Sequence, residues 1–296
     1  MKYSSKNKLY YTCKKIKNYY ENKFVSDEKL IKKRFKKVFN REINLKNPKT
    51  FNEKLQWLKL NDRNPKYTNL VDKYEVRKYI SETIGEEYLI PLLGVWDTFE
   101  DIDFSKLPEQ FVLKCNHDSG GIVICNDKNK FDIKAAKKKI NKSLKRNYYY
   151  HSREWPYKNI KPRIICEEFM VDESGIELKD YKFLCFNGKA NCSFVGLNRN
   201  SQYGLNVDFY DMDWKRMPFE RHYPSSNTII PKPKSFNKMV DFAEKLSKDI
   251  PFVRVDFYEI NGRLYFGELT FFPGAGFEEF TPESYDYLLG SWINIP

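Results

Sequence analysis

The sequence predicts an α+β fold whose sheets face each other across a cleft, and three observations carry that expectation. Runs rich in β-branched and aromatic residues come as hairpins rather than as alternating strand–helix–strand units. Single helical segments separate those hairpins. The 21 Tyr and 23 Phe among 296 residues supply apolar mass for one large domain or two lobes around a shared cleft.

A first helix is expected over 26–40, where Ser26 suits an N-cap and Asp27 and Glu28 suit the positive end of the helix dipole. "NPKTFNEKLQWLKLND" predicts a second over 51–60. "DKYEVRKYISETIG" predicts a third from near Val71, ending at Gly85. The proline-broken "YLIPLLGVWDTF" reads as short strands or an extended connection, and "QFVLKCNHDSGGIVICND" as strand, glycine loop, strand. "KAAKKKINKSLKRNYYYHSR" is a helix, followed by a loop through Pro156 and Pro162. "PRIICEEFM" and "LKDYKFLCFNGKANCSFVG" are strands, the second folding back at Asn187-Gly188. "FNKMVDFAEKLSKDI" is an amphipathic helix ahead of a last hairpin, "FVRVDFYEINGRLYFGELTFFPGAG".

Composition excludes several classes. No run of about 18 apolar residues suggests a membrane span, and the N-terminus lacks the apolar stretch of a signal peptide. Six cysteines without CxxC spacing, several inside apolar runs, read as reduced buried thiols of a cytosolic protein; three scattered histidines suggest no metal centre of their own. The net charge of +12 is concentrated: residues 1–46 hold fifteen Lys and Arg against four Asp and Glu, leaving the remainder almost neutral. No nucleic-acid motif accompanies the charge, so no nucleic-acid partner is expected. Two readings of that segment stay open: solvated helix faces packed on the body, or a surface docking on anionic lipid or an acidic polymer.

The candidate chemistry lies in four strands. Lys114, delivered by a buried strand into a loop with Asp118, Ser119, Gly120 and Gly121, suits a phosphate, though the glycines could simply turn a hairpin. Glu167 and Glu168 end a β-branched strand that could serve a nucleobase, or form ordinary surface pairs. Asp180 and Lys182 share one face of the next strand. In the last hairpin, a two-residue turn at Asn261-Gly262 would separate Asp256 from Glu268. A three-residue turn, Ile260 to Gly262, puts Arg254, Asp256, Tyr258, Phe266 and Glu268 on one face and Val253, Val255 and Phe257 on the other, and that alternation favours it. Two acids a diagonal step apart call for a cation between them. Mg²⁺ is one candidate and Arg254, as an ordinary salt bridge, the other.

Taken in order, these pieces resemble an ATP-grasp enzyme over residues 70–290, with two α+β lobes clasping a nucleotide cleft. The sequence is more closely similar to the TupA-like branch, found in bacterial surface-polysaccharide gene clusters. The segments that carry this are "NPKTFNEKLQWLKL", "FVLKCNHDSGG", "DYKFLCFNGK" and "GELTFFPGAGF". The resemblance implies a basic helical extension over 1–60 and an ATP-grasp domain over 61–296, divided into an N-terminal lobe (61–110), a lid (111–169) and a metal-binding part (170–296). It implies that Lys114, with Lys73 or Arg77, contacts ATP phosphates, and that Ser119, Gly120 and Gly121 close over them. Glu167 and the backbone near Phe169 would hold adenine, Asp180 the ribose and Lys182 the phosphates. Asp256 and Glu268 would hold Mg²⁺, and Arg254 with Lys182 would act in catalysis. Thr270 stands where many such enzymes place a third metal ligand, an asparagine, so that position departs from the pattern.

The implied activity is a cytoplasmic carboxylate–amine ligase acting through an acyl phosphate, with ATP and Mg²⁺, on a sugar acid, amino acid or saccharide precursor. It would touch the inner membrane face through residues 1–46. The rivals are a glycosyltransferase, whose DxD triplet would be Asp211-Met212-Asp213, and a non-catalytic adaptor built on the basic N-terminus.

Overall fold

The computed structural model describes residues 20–21, 23–172, 178–197 and 204–295. The docking reading of the N-terminus covers residues 1–46, of which 1–19 and 22 lie outside that set. In the described part, one helix face packs on the body. Ser26 caps helix α1 (Asp27–Phe39) by accepting from the Lys29 N–H at 3.3 Å. Ile31 and Phe35 of α1 pack against Ile43 and Phe277, so one face of the helix is fixed to the body.

Helix α2 (Phe51–Asn61) begins with a capping box in which Thr50 and Glu53 satisfy each other's backbone N–H groups. Its Phe51, Leu55 and Leu58 enter the largest core cluster. A short helix not expected from the sequence, α3 (Lys66–Val71), comes next, and the third expected helix begins later than Val71, as α4 (Val76–Thr83). The break between them has a local cause: Asp72 accepts from the N–H groups of Tyr74 and Glu75, and the side chain of Asn116 anchors it from across the chain.

Two antiparallel sheets follow. One has the order β1-β4-β2-β3, built from β1 (Leu92–Trp96), β2 (Phe111–Cys115), β3 (Ile122–Cys125) and β4 (Ile164–Glu168). It therefore draws strands from both segments 61–110 and 111–169. Helix α5 (Ile133–Leu144) covers it with Ala136 and Ile140; α6 is a single turn, Tyr149–Ser152. The other sheet has the order β10-β9-β5-β6-β7: β5 (Asp180–Phe186), β6 (Lys189–Leu197), β7 (Asn206–Tyr210), β9 (Phe252–Ile260) and β10 (Arg263–Thr270). Helix α7 (Phe236–Leu246) packs Met239, Ala243 and Leu246 into the same core as Phe183 and Val253. A small pair, β8 (Glu220–Arg221) with β11 (Phe280–Thr281), and helix α8 (Ser284–Ser291) complete the described chain.

The last hairpin corrects the expected register. Ile260 pairs with Arg263, so the turn has two residues, Asn261 and Gly262, both at positive φ. That turn alone would set Asp256 and Glu268 on opposite faces. A bulge at Gly267 restores them to one face, directly opposite each other. A Cβ on Gly267 would come within 3.0 Å of the Asp256 carbonyl oxygen, which is why glycine stands there. Phe266, expected beside the acids, instead pairs with Phe257 on the core face.

Candidate active site

The two sheets line a cleft of about 650 Å³. Into it come Lys114 and Glu167 from the first sheet, and Asp180, Lys182, Arg254, Asp256, Glu268 and Thr270 from the second. Lys73, Arg77, Ser119 and Gly120 complete the set of sequence-predicted residues in its wall. Gly121 and Phe169 are not among the lining residues. The Gly121 N–H is bound to Asp118 Oδ1 at 3.2 Å.

The acid end is a cation–carboxylate lattice. Arg254 donates through Nε and Nη2 to both oxygens of Asp256, at 2.7 and 2.6 Å, and through Nη2 to Glu268 at 2.7 Å. Lys182 lies opposite Asp256 in the strand register, donates to it at 2.5 Å, and forms a close ion pair with Asp180. Thr270 donates to Glu268 Oε1 at 3.2 Å, which orients that carboxylate. Burial pushes the Asp256 carboxyl up against the pull of Arg254 and Lys182. Burial would also raise Glu268, but Arg254, then Lys73 and Lys182, outweigh it and hold it down to about 2.

At the other wall Lys114 forms a close ion pair with Glu167, which Arg77 also approaches at 3.5 Å. The Lys73 ammonium donates to the Asp118 carbonyl at 2.7 Å. The loop behind Lys114 is braced from below. Asn116 binds Asp72, the Lys161 carbonyl and the Arg163 N–H, while the His117 ring contacts the carbonyls of Ser143 and Arg146. Asp118 accepts from Ser143 as well as from Gly121. Ser119 and Gly120 remain exposed at the lip, and Gly120 has φ +101.

At the far end of the cleft the Pro-Gly loop after the last hairpin is expected from the sequence, and the other lining residues are not. That end is lined by Arg34, Tyr148, His151, Glu154, Tyr157 and the Phe272–Ala275 segment. Beneath it lies Lys59, fully buried on α2, whose ammonium donates to Gln56 Oε1 and to the carbonyls of Ser152 and Ala275 at 2.9–3.1 Å. Burial pulls Lys59 down to about 7, against the opposing charge of Glu154. Gln56 also donates to the Ala275 and Gly276 carbonyls, so one polar stripe of α2 fixes the loop after β10. The available signal was the spacing of Asn52, Gln56 and Lys59 at i, i+4, i+7 beside the apolar stripe. Nothing local marks Arg34 or Glu154, which reach the cleft only through tertiary packing.

One carboxylate named for the glycosyltransferase reading is already engaged. Asp211 Oδ1 accepts from the N–H groups of Asp213 and Lys215, a turn in which that carboxylate is engaged by its own loop. Cys115, Cys125, Cys166, Cys185 and Cys192 are free and buried. Among the described residues no helix is long and apolar enough to cross a membrane.

A family model described as TupA-like ATPgrasp matches residues 53–294. No curated protein matches the chain. Solved structures give distant likenesses. One is the D-alanine–D-alanine ligase from Bacillus anthracis complexed with ATP, with 16% identity, TM-score 0.39, and 68% of this chain and 55% of that one covered. The ATP-grasp ligase PsnB complexed with minimal precursor, Mg and ADP has 9% identity and TM-score 0.40, covering 74% and 57%. A RimK domain protein ATP-grasp from Sphaerobacter thermophilus has 10% identity and TM-score 0.41, covering 77% and 69%. The chain thus spans 55–57% of the length of the first two.

ATP-grasp ligases use ATP and Mg²⁺. The donor set here fits that ion. No group of three or more His, Cys, Asp or Glu among the described residues could hold a metal by itself. An opposed Asp–Glu pair is nevertheless what Mg²⁺ takes when phosphates and waters supply its other oxygens.

Proposed function

Because the chain belongs to the TupA-like ATP-grasp family, a family of ATP-dependent ligases, we propose that it joins a carboxylate to an amine in bacterial surface-polysaccharide synthesis. The observation that carries the reading is the opposed Asp256–Glu268 pair, bridged by Arg254 and backed by Lys182, across the cleft from Lys114 and Arg77.

Lys114, Arg77 and Lys73 receive the phosphates, and Ser119–Gly121 closes over them. Glu167 and the backbone at Phe169 take adenine, and Asp180 takes ribose. In this division the β2–β4 sheet is the lid and the β5–β10 sheet the metal-binding part. Bound at Asp256 and Glu268, Mg²⁺ supplies charge neutralisation at the phosphates. A substrate carboxylate oxygen attacks the γ-phosphorus, the bond to the ADP oxygen breaks, and an acyl phosphate forms. The amine then attacks the acyl carbon and phosphate leaves with the bonding pair. The surplus amine proton passes to a base, for which we take Glu154 because it lines the far end of the cleft and burial raises its proton affinity against the pull of Lys59. Arg254 and Lys182 exchange part of their carboxylate contacts for the transferring phosphoryl oxygens, so catalysis is mainly positioning and electrostatics. The substrates are a sugar acid, amino acid or saccharide precursor, and the setting is the cytoplasmic membrane face, with residues 1–46 as the contact.

The test is nucleotide choice. Mg-ATP should raise the thermal midpoint of the full chain whether or not a UDP-sugar also does, since a ligand of the folded state stabilises it. A midpoint shifted by the UDP-sugar alone would overturn the ligase reading in favour of a glycosyltransferase.

A further inference from the structure

Beside the far end of the cleft lies a second groove of about 800 Å³. The two share Arg34, Tyr148 and His151. Leu30, Ile31 and Phe277 give the groove an apolar floor. Its rim carries Lys33, Arg34, Lys37, Arg146 and Arg153 against a single acid, Glu21.

Local partners account for only part of that charge. Lys33 pairs with Glu21 at 2.9 Å, and Arg153 lies 3.8 Å from Asp27. Among the described residues, Arg34, Lys37 and Arg146 have no carboxylate within ion-pair distance. Arg34 is the informative one. Its half-buried guanidinium lies 4.3 Å over the Phe277 ring and donates to the His151 carbonyl at 3.3 Å. Burial disfavours that cation, and the neutral acceptor and the Glu154 charge, beyond ion-pair distance, offset this only in part, so an anion joining it at the groove is favoured. His151 senses the same field, held below its usual range by burial and then by Arg34 and Arg146. Residues 1–19 hold six lysines and no acid, so a basic groove does not select them as its occupant.

We propose that this groove binds a diphosphate carried by the acceptor substrate, with Lys37 and Arg146 at its mouth and Arg34 at the junction with the ATP cleft. Guanidinium forks match phosphate oxygens, and three unpaired cations match a diphosphate better than a single carboxylate. The apolar floor accommodates the group esterified to it. A nucleoside diphosphate sugar and a lipid-linked diphosphate sugar share this chemistry. The reacting end of either then enters the ATP cleft past Tyr148. The inference rests on the ligase reading.

The experiment uses the full chain with the ATP cleft saturated by a non-hydrolysable ATP analogue. Inorganic pyrophosphate, a nucleoside diphosphate and farnesyl diphosphate are titrated by calorimetry into wild type, Lys37→Glu/Arg146→Glu and Lys37→Ala/Arg146→Ala. Pyrophosphate should bind wild type with the cleft filled, and more weakly as salt rises. The double charge reversal should weaken it about a hundredfold, at about tenfold per charge, while affinity for the ATP analogue stays unchanged. Tighter binding of the nucleoside diphosphate than of pyrophosphate assigns the nucleotide source, and tighter farnesyl diphosphate the lipid source. No pyrophosphate binding with the cleft filled, or equal binding by all three proteins, overturns the proposal and leaves the ligase reading intact. Pyrophosphate binding in a protein that fails to take the ATP analogue would keep the groove and remove the ligase reading.

Discussion

Asp256 and Glu268 face each other across the hairpin, yet they should answer differently to neutralisation. The Asp256 side chain is 1% exposed and receives three short hydrogen bonds from two cations, Arg254 and Lys182. Asp256→Asn removes the charge and replaces one acceptor oxygen by a donor, which turns an N–H group toward those cations. Breaking a buried pair in this way costs about 3–5 kcal/mol. Asp180 still faces Lys182 and Glu268 still faces Arg254, so we expect the lower end, about 3 kcal/mol. Glu268 is 42% exposed and shares Arg254 with a partner that stays in place, so Glu268→Gln should cost about 1 kcal/mol or less. Urea unfolding of the metal-free protein measures both. With a slope of about 3 kcal/mol/M, Asp256→Asn should lower the midpoint by about 1 M and Glu268→Gln by about a third of that or less. Both variants should lose Mg-ATP turnover, because each removes one of the two proposed metal ligands. Equal stability losses would refute the account of the Arg254 lattice. Normal turnover in either variant would refute the metal assignment.

Lys114→Met keeps the aliphatic stem, releases Glu167 to Arg77, and should weaken ATP binding about tenfold or more with the fold retained; unchanged ATP affinity by calorimetry would return Lys114 to a structural role. The pH dependence has a definite sign. Glu268 is held down to about 2, so its contribution to stability is complete above the ordinary glutamate value and is lost as pH falls toward 2. The midpoint gap between wild type and Glu268→Gln should therefore shrink between pH 4.5 and 2; a constant gap would contradict it. If residues 1–46 dock on membranes, the full chain should bind anionic vesicles less as salt rises, and a chain starting at Asn47 should lose vesicle binding but keep ATP binding. Salt-insensitive binding would reject the electrostatic mechanism.

The linear sequence determined what depends on local period and cap chemistry. Ser26 and Thr50 mark where α1 and α2 begin, because a side-chain oxygen three residues before a backbone N–H is a local arrangement. Alternation set Asp180 and Lys182 on one face of β5, and Asn261-Gly262 marked the last turn. The face of the acids came out right for the wrong reason: a two-residue turn and a bulge produced it, and the bulge depends on how closely Gly267 approaches the partner strand. Which charge meets which was beyond the sequence. Arg254 could have faced solvent, phosphate or the acids; in the structure it spans both carboxylates because β5, β9 and β10 place their side chains over one another. The far end of the cleft depends most on tertiary structure. Arg34, Lys59 and Glu154 lie far apart in the chain, and only the packing of α1 and α2 on the loop after β10 brings them to one place. Local patterns report the free energy of neighbouring residues, whereas this site is made by burial between segments over a hundred positions apart.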